Sequence, residues 1–171
     1  MFGKPRQLDT EQELYDVALR ALMRRAHSVS EMKKKLTRRA DNELLVQVVM
    51  ARLKESGQLD DSRYAKQFTR NRTTNRKQGK FRIARDLRAR GVPDTHINTA
   101  LAESAETNDE AALVRERIKR KLRLFRGEIG DKKFASLYRS LLAAGFSGDV
   151  IRRELKALTH EELPEVETTE E

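Results

Sequence analysis

The sequence predicts an all-α protein: three tandem three-helix repeat modules in an elongated, curved arrangement. Three observations carry that expectation. Apolar residues recur at helical spacing through nearly the whole chain, and no sustained period-2 alternation with hairpin turns interrupts them. Gly57, Gly91 and Gly145 stand where helices must end in a left-handed residue. The chain also repeats itself. A shift of 54 residues lays Ile83 on Leu137, Leu87 on Leu141, Gly91 on Gly145, Val92 on Phe146, Ile97 on Ile151 and Leu101 on Leu155. A shift of 51 in the other direction lays Ile83 on Met32, Leu87 on Leu36, Ile97 on Val46 and Leu101 on Met50. Three copies of one spacing, each too short to bury a comfortable core alone, point to stacked repeats.

Nine helices follow, over 11–26, 29–39, 42–56, 60–75, 79–90, 94–103, 109–126, 131–144 and 148–158. The second opens on Ser28-Val29-Ser30-Glu31, a capping box in which Ser28 and Glu31 satisfy free backbone N–H groups reciprocally. The third contains "LLVQVVM" at 44–50, whose valines would also suit a buried strand. The fourth begins with two adjacent aspartates. Asp60 and Asp61 could be a carboxylate pair that holds a metal or moves a proton, or they could start the helix. With Asp60 at the N-cap, Leu59 and Tyr64 take the staple positions, and Asp61 sits where a carboxylate favours the positive helix end. Capping accounts for both charges without chemistry. Asp94, after Pro93, and Ser147, after Gly-Phe, read as further N-caps. The stretch "SAETNDE" at 104–110 reads as a soft joint between the second and third modules. The expected organisation is a flexible N-terminus at 1–10, modules at 11–57, 58–104 and 105–158, and an acidic, disordered tail at 159–171.

Of the 171 residues, 37% are hydrophobic and 37% charged, with no Trp, so the core should be divided and supplied by helix stripes. Zero Cys excludes disulfides and thiolate metal sites. The N-terminus lacks the apolar region of a secretory signal, and 44–50 is far too short to span a membrane. A soluble, cytoplasmic protein without membrane partners is the expectation. The net charge is +9, but six glutamates and no Lys or Arg fall between Glu161 and Glu171, so residues 1–160 carry +15. A basic body of this size points to a polyanion, nucleic acid before an anionic membrane.

The helical wheel segregates that charge. Lys34, Lys35 and Arg38 face away from Met32 and Leu36, and Arg63, Lys66 and Arg70 face away from Tyr64, Ala65 and Phe68. Arg72 shares the apolar sector of that helix, so its stem reads as structural. Arg82, Arg85 and Arg88 oppose Ile83, Ala84 and Leu87, with Phe81 among the arginines. Phe81 could stack on a base, but packing under the preceding connection is the favoured reading. Arg115, Lys119, Arg123 and Arg126 oppose Val114, Ile118, Leu122 and Phe125, and Arg76, Lys77 and Lys80 add a basic connection. One such face is ordinarily a solvated surface; four in a repeat array can track a phosphate backbone. No Asn/Gln-rich recognition helix marks base-specific readout. His27, His96 and His160 are scattered without ligand-like neighbours, and "RGEIGDKKF" has the wrong spacing for a phosphate loop. No metal, cofactor or catalytic residue is expected.

The stretches "RRAHSVSEMKKKL" (24–36), "SGQLDDSRYAKQFTRNR" (56–72), "FRIARDLRARGV" (81–92) and "LLAAGFSGDVIRREL" (141–155) resemble the RecX family, bacterial regulators of the RecA recombinase. The likeness covers roughly residues 12–158. It departs at Met32, where the family usually has Leu, at one extra residue in "TTNRKQGKF", and at the acidic tail. The resemblance implies three modules in a curved, right-handed array. It implies binding in the groove of the RecA–DNA filament, with contacts to single-stranded DNA and secondarily to duplex. It also implies a protein that is monomeric when free and damps ATPase and strand exchange. Two rival functions remain: a general nucleic-acid-binding or transcriptional module of helix-turn-helix-like units, and a nuclease that uses Asp60 and Asp61.

Overall fold

The structure, a computed structural model, describes residues 7–124 and 130–161. Phe125, Arg126 and the glutamate-rich segment beyond Glu161 lie outside the described residues.

Among these residues the fold is all-α, with nine helices: α1 Glu11–Arg24, α2 Val29–Thr37, α3 Glu43–Glu55, α4 Asp61–Thr74, α5 Lys80–Arg88, α6 Asp94–Thr107, α7 Glu110–Leu122, α8 Asp131–Ala143 and α9 Gly148–Glu161. The ambiguous stretch 44–50 is helical: Asn42 caps α3 by accepting from the Leu45 amide, and burial of Val46, Val49, Met50 and Leu53 follows helical spacing. Helix α6 corrects the expectation at its far end. It runs on to Thr107, and the joint shrinks to Asn108 and Asp109. Asn108 returns its side-chain amide to the Ser104 carbonyl, and Asp109 caps α7 through the amides of Ala111 and Ala112. Asp94 is a second correction. It is the first helical residue of α6, and the Pro93 carbonyl accepts from His96 and Ile97 at the helix start. Pro93 has no N–H of its own to satisfy there, and the Asp94 carboxylate accepts from Arg88 Nε at 2.7 Å.

The chain divides into two compact units, one comprising Met1–Thr69 with Arg85–Leu101 and the other Arg70–Ala84 with Ala102–Glu171. In the first, α1 and α2 pack on α3 around Leu14, Ala18, Met32, Leu36, Val46, Val49 and Leu53. Leu8, inside the stretch expected to be flexible, is buried and bridges Ala40, donating to the Arg39 carbonyl and accepting from Asp41. In the second unit, α7 and α8 pack on α9 around Val114, Ile118, Leu137, Leu141, Phe146 and Ile151. Met32 fills its position with full burial, so the departure from Leu is volume-conserving.

Three helix ends close identically. Gly57, Gly91 and Gly145 adopt φ of +67°, +72° and +91°, and the next residue donates five positions back: Gln58 to Leu53, Val92 to Leu87, Phe146 to Leu141. The end of α4 is one residue wider. Gln78 donates six positions back to Arg72, and Lys77, not a glycine, takes the left-handed conformation at φ +48°. This wider turn lies within "TTNRKQGKF", the segment that carries the extra residue.

The sequence registers reappear as one physical contact made twice. In the first unit, Ser28 Oγ donates to the Arg90 carbonyl at 2.6 Å, and Ser30 lies against Gly91. In the second, Gly79 N donates to the Ala144 carbonyl at 2.9 Å and Phe81 N to Gly145 at 3.1 Å. Ser28 and Gly79 are 51 residues apart, as are Ser30 and Phe81; Arg90 and Ala144 are 54 apart, as are Gly91 and Gly145. The start of one helix therefore rides on the left-handed end of another in both places, through serine side chains in the first and through backbone amides in the second.

Candidate nucleic-acid interface

The aspartates at the head of α4 are helix-starting groups. Asp60 Oδ1 accepts from the amides of Ser62 at 2.7 Å and Arg63 at 3.1 Å, and its carbonyl accepts from Tyr64. Those amides, Arg63 first, hold its pKa below the ordinary aspartate range. Asp61 does more than the sequence suggested. Its Oδ1 accepts from the Val29 amide at 2.9 Å, so one carboxylate sits in the first turn of α4 and ties down the first amide of α2. Ser28 and Glu31 form the expected capping box on the same helix. Leu59 and Tyr64 are both buried, as their staple positions require. Among the described residues, no cluster of three or more His, Cys, Asp or Glu could hold a metal ion.

Lys34 and Lys35 on α2 and Arg38 at its C-cap are exposed, and the structure gives them a setting that periodicity alone could not. They line an open groove of about 490 Å³ together with Val17, Arg25, His27, Glu31 and Arg39. Its single carboxylate, Glu31, is taken by Arg25 at 3.0 Å. Burial works against the charge on Glu31, but hydrogen bonds from Arg25 and the Ser28 amide outweigh it and lower its pKa. Arg39 Nε is buried without a hydrogen-bond partner among the described residues. His27 is 7% exposed, and its Nδ1 lies 2.9 Å from the Arg25 carbonyl. Burial, then the charges of Arg25 and Lys35, push its pKa down, so the groove holds a neutral imidazole beside its cations. Arg25, His27 and Arg39 were missed in the sequence. They sit at helix ends and in connections, where angular sectors assign no face.

Other basic residues divide between surface and scaffold. Arg70 and Arg76 are exposed, Lys66 projects from α4, and Lys119 on α7 and Arg123 at its C-cap are exposed. Arg63 is exposed but donates to the Gly57 carbonyl, closing the end of α3. Arg72 is half-buried, as its sector required. Arg82 is half-buried and donates to Ala143 O at 3.2 Å, while Arg85 lies 3.9 Å from Asp86 and Arg88 is paired with Asp94. Arg115 bonds Glu154 at 2.9 Å, and Glu154 is only 6% exposed, so this arginine neutralises a buried carboxylate. Lys77 reaches Glu116 at 3.1 Å and Lys80 reaches Glu110 at 3.7 Å. Glu110 also accepts from the amide and hydroxyl of Ser147, so the Ser147 hydroxyl is turned to a neighbouring helix.

Arg117, unremarked in the sequence, holds the wide turn after α4 by donating to the carbonyls of Arg76 and Lys77 at 3.1 and 3.0 Å. Burial first, then the charges of Arg120 and Arg82, lower its pKa, so both of those guanidinium groups lie within electrostatic reach of Arg117. Phe81 corrects the sequence reading outright. It does not pack under the preceding connection: it is 59% exposed, because its amide and that of Gly79 are committed to the backbone at 144–145 and turn the ring outward.

Short helices joined by left-handed glycine turns, with guanidinium and ammonium groups along a groove and beside a turn, define an all-α repeat protein with cationic surfaces. The family model for RecX, second three-helix domain, matches residues 60–101. Regulatory protein RecX of Halorhodospira halophila is 40% identical over 140 residues, covering 80% of this chain and 83% of the relative. Regulatory protein RecX of a Mycobacterium species (strain JLS) is 37% identical over 113 residues, covering 64% and 62%. The crystal structure of RecX from Lactobacillus salivarius shares the fold with a TM-score of 0.76 at 20% identity, over 88% of this chain and 97% of that one. The chain belongs to the RecX family of regulatory proteins.

Proposed function

We propose that the chain binds the RecA–DNA filament in its helical groove and damps recombinase ATPase and strand exchange, by limiting filament extension or promoting disassembly, in DNA repair and the SOS response. The observation that carries this reading is membership of the RecX family across four-fifths of the chain. The cationic groove on α2 supports it, because Lys34, Lys35, Arg38 and Arg39 offer charge to phosphates without acids to compensate them. The triplets α1–α3, α4–α6 and α7–α9 act as modules over 11–57, 58–104 and 105–158, in a protein that is monomeric when free. The action needs no chemistry of its own. Binding free energy that favours one filament state shifts the filament population toward it.

The test is the single-stranded-DNA-dependent ATPase of RecA, titrated with the protein. Inhibition at a small fraction of the RecA concentration is expected for a block at filament ends, and inhibition near stoichiometry for occupation of the groove. An ATPase unchanged at excess protein would sink the proposal.

A further inference from the structure

Phe81 stands out among the described residues as an exposed aromatic side chain set among cations. Its ring is 59% exposed, and Lys80 Nζ lies 5.4 Å from its centroid. The next residue, Arg82, has a buried Nε with no partner among the described residues. The backbone beneath the ring is held at two points, by Gly79 N to Ala144 O and Phe81 N to Gly145 O. Gly79 approaches so closely that a Cβ there would fall 2.2 Å from the Gly145 carbonyl oxygen. The ring is therefore presented on a fixed base.

A single exposed apolar side chain needs no partner by itself; what sets Phe81 apart is an aromatic face on a fixed base beside cations, and those surroundings decide what suits it. An apolar protein surface would have to desolvate Lys80 and Arg82 to reach the ring. An unpaired base covers an aromatic face and brings its own phosphates to neighbouring cations. The geometry points to Phe81 as a stacking platform for one unpaired base of single-stranded DNA, with an adjoining phosphate met by the exposed Lys80, whose ion pair with Glu110 is long at 3.7 Å, while Arg82, committed to the Ala143 carbonyl, adds its charge from below. This rests on the DNA-binding part of the proposed function and adds a specific residue and ligand group to it. A duplex keeps its bases stacked on one another and offers the ring nothing, so the platform also favours single strands.

The chain contains no tryptophan, so F81W places a lone indole reporter on the platform. Its fluorescence is followed while an oligo-dT is titrated, and again with an oligomer of equal length made entirely of abasic nucleotides. Quenching by oligo-dT but not by the abasic strand is expected. F81A should bind oligo-dT about tenfold more weakly, within the range of stacking losses, and bind the abasic strand as the parent does. Unchanged oligo-dT affinity in F81A overturns the platform, as does equal weakening on both strands or equal quenching by both. Those results leave DNA binding itself intact. A parent protein that binds neither strand removes the DNA-binding reading and the platform with it.

Discussion

Asp61 shows how much one side chain can do without chemistry. It lies in the first turn of α4, where a carboxylate is favoured by the helix dipole, and it satisfies the Val29 amide of α2 at 2.9 Å. Sequence reasoning reached the first role through the staple geometry of Leu59 and Tyr64. It could not reach the second, because a partner 32 residues away leaves no local pattern. The two aspartates should therefore differ in mutants. D60N should be nearly neutral, since Asn caps as well as Asp, and D60A should cost about 1 kcal/mol. D61A removes the dipole interaction and orphans an amide, and should cost about 2 kcal/mol, with D61N recovering the larger part. Urea denaturation midpoints measure all four. D61A losing no more than D61N would show that the carboxylate's acceptor role at Val29 contributes nothing.

At the scale of elements, the legible part was the part written in periodicity. Ile83 with Leu137, Leu87 with Leu141 and Ile97 with Ile151 are all buried, as their shared register requires; Leu101 is only half-buried where Leu155 is buried. Helix ends that depend on glycine were legible too, because φ near +70° is a property of the residue itself. The end of α4 was not, since Lys77 takes the left-handed conformation and Arg117, 40 residues away, holds its carbonyl. Nor was the outward turn of Phe81, which follows from the meeting of 79–81 with 144–145. That meeting can be tested against a matched glycine. Gly57 and Gly145 both have positive φ, but a Cβ on Gly57 meets nothing within 4 Å, whereas one on Gly145 falls 2.3 Å from Arg82 N. G57A should cost about 1 kcal/mol, the conformational penalty alone. G145A should cost roughly two to three times as much, because backbone must move. Equal shifts in thermal or urea unfolding would mean that the contact yields without strain.

For the molecule as a whole, the governing quantity is charge. The +9 of the full chain is the remainder of a +15 body and six glutamates between Glu161 and Glu171. The sequence disclosed that excess, but the structure shows that it is unevenly available. Arg63, Arg88 and Arg115 are engaged with a carbonyl or carboxylates of their own unit, whereas Lys34, Lys35 and Arg38 line the groove beside Arg39. Which cations hold the scaffold depends on where acids and carbonyls fall in three dimensions, and no helical wheel contains that. Availability should separate two triple variants. K34E/K35E/R38E alters exposed groove residues and should keep native helicity and melting temperature. Its affinity for single-stranded DNA should fall by a factor of ten or more at about 0.1 M salt, and the slope of log affinity against log salt should become shallower by about 2, near −0.7 per lost phosphate contact. R63E/R88E/R115E strips partners from the Gly57 carbonyl, Asp94 and the buried Glu154, so its first effect should be on melting temperature. Affinity, salt slope and circular dichroism on the same preparations separate the outcomes. A groove variant that stays folded and binds with an unchanged salt slope would move the phosphate contacts off this groove and onto the other exposed cations, whereas one that unfolds would show that these side chains hold the scaffold.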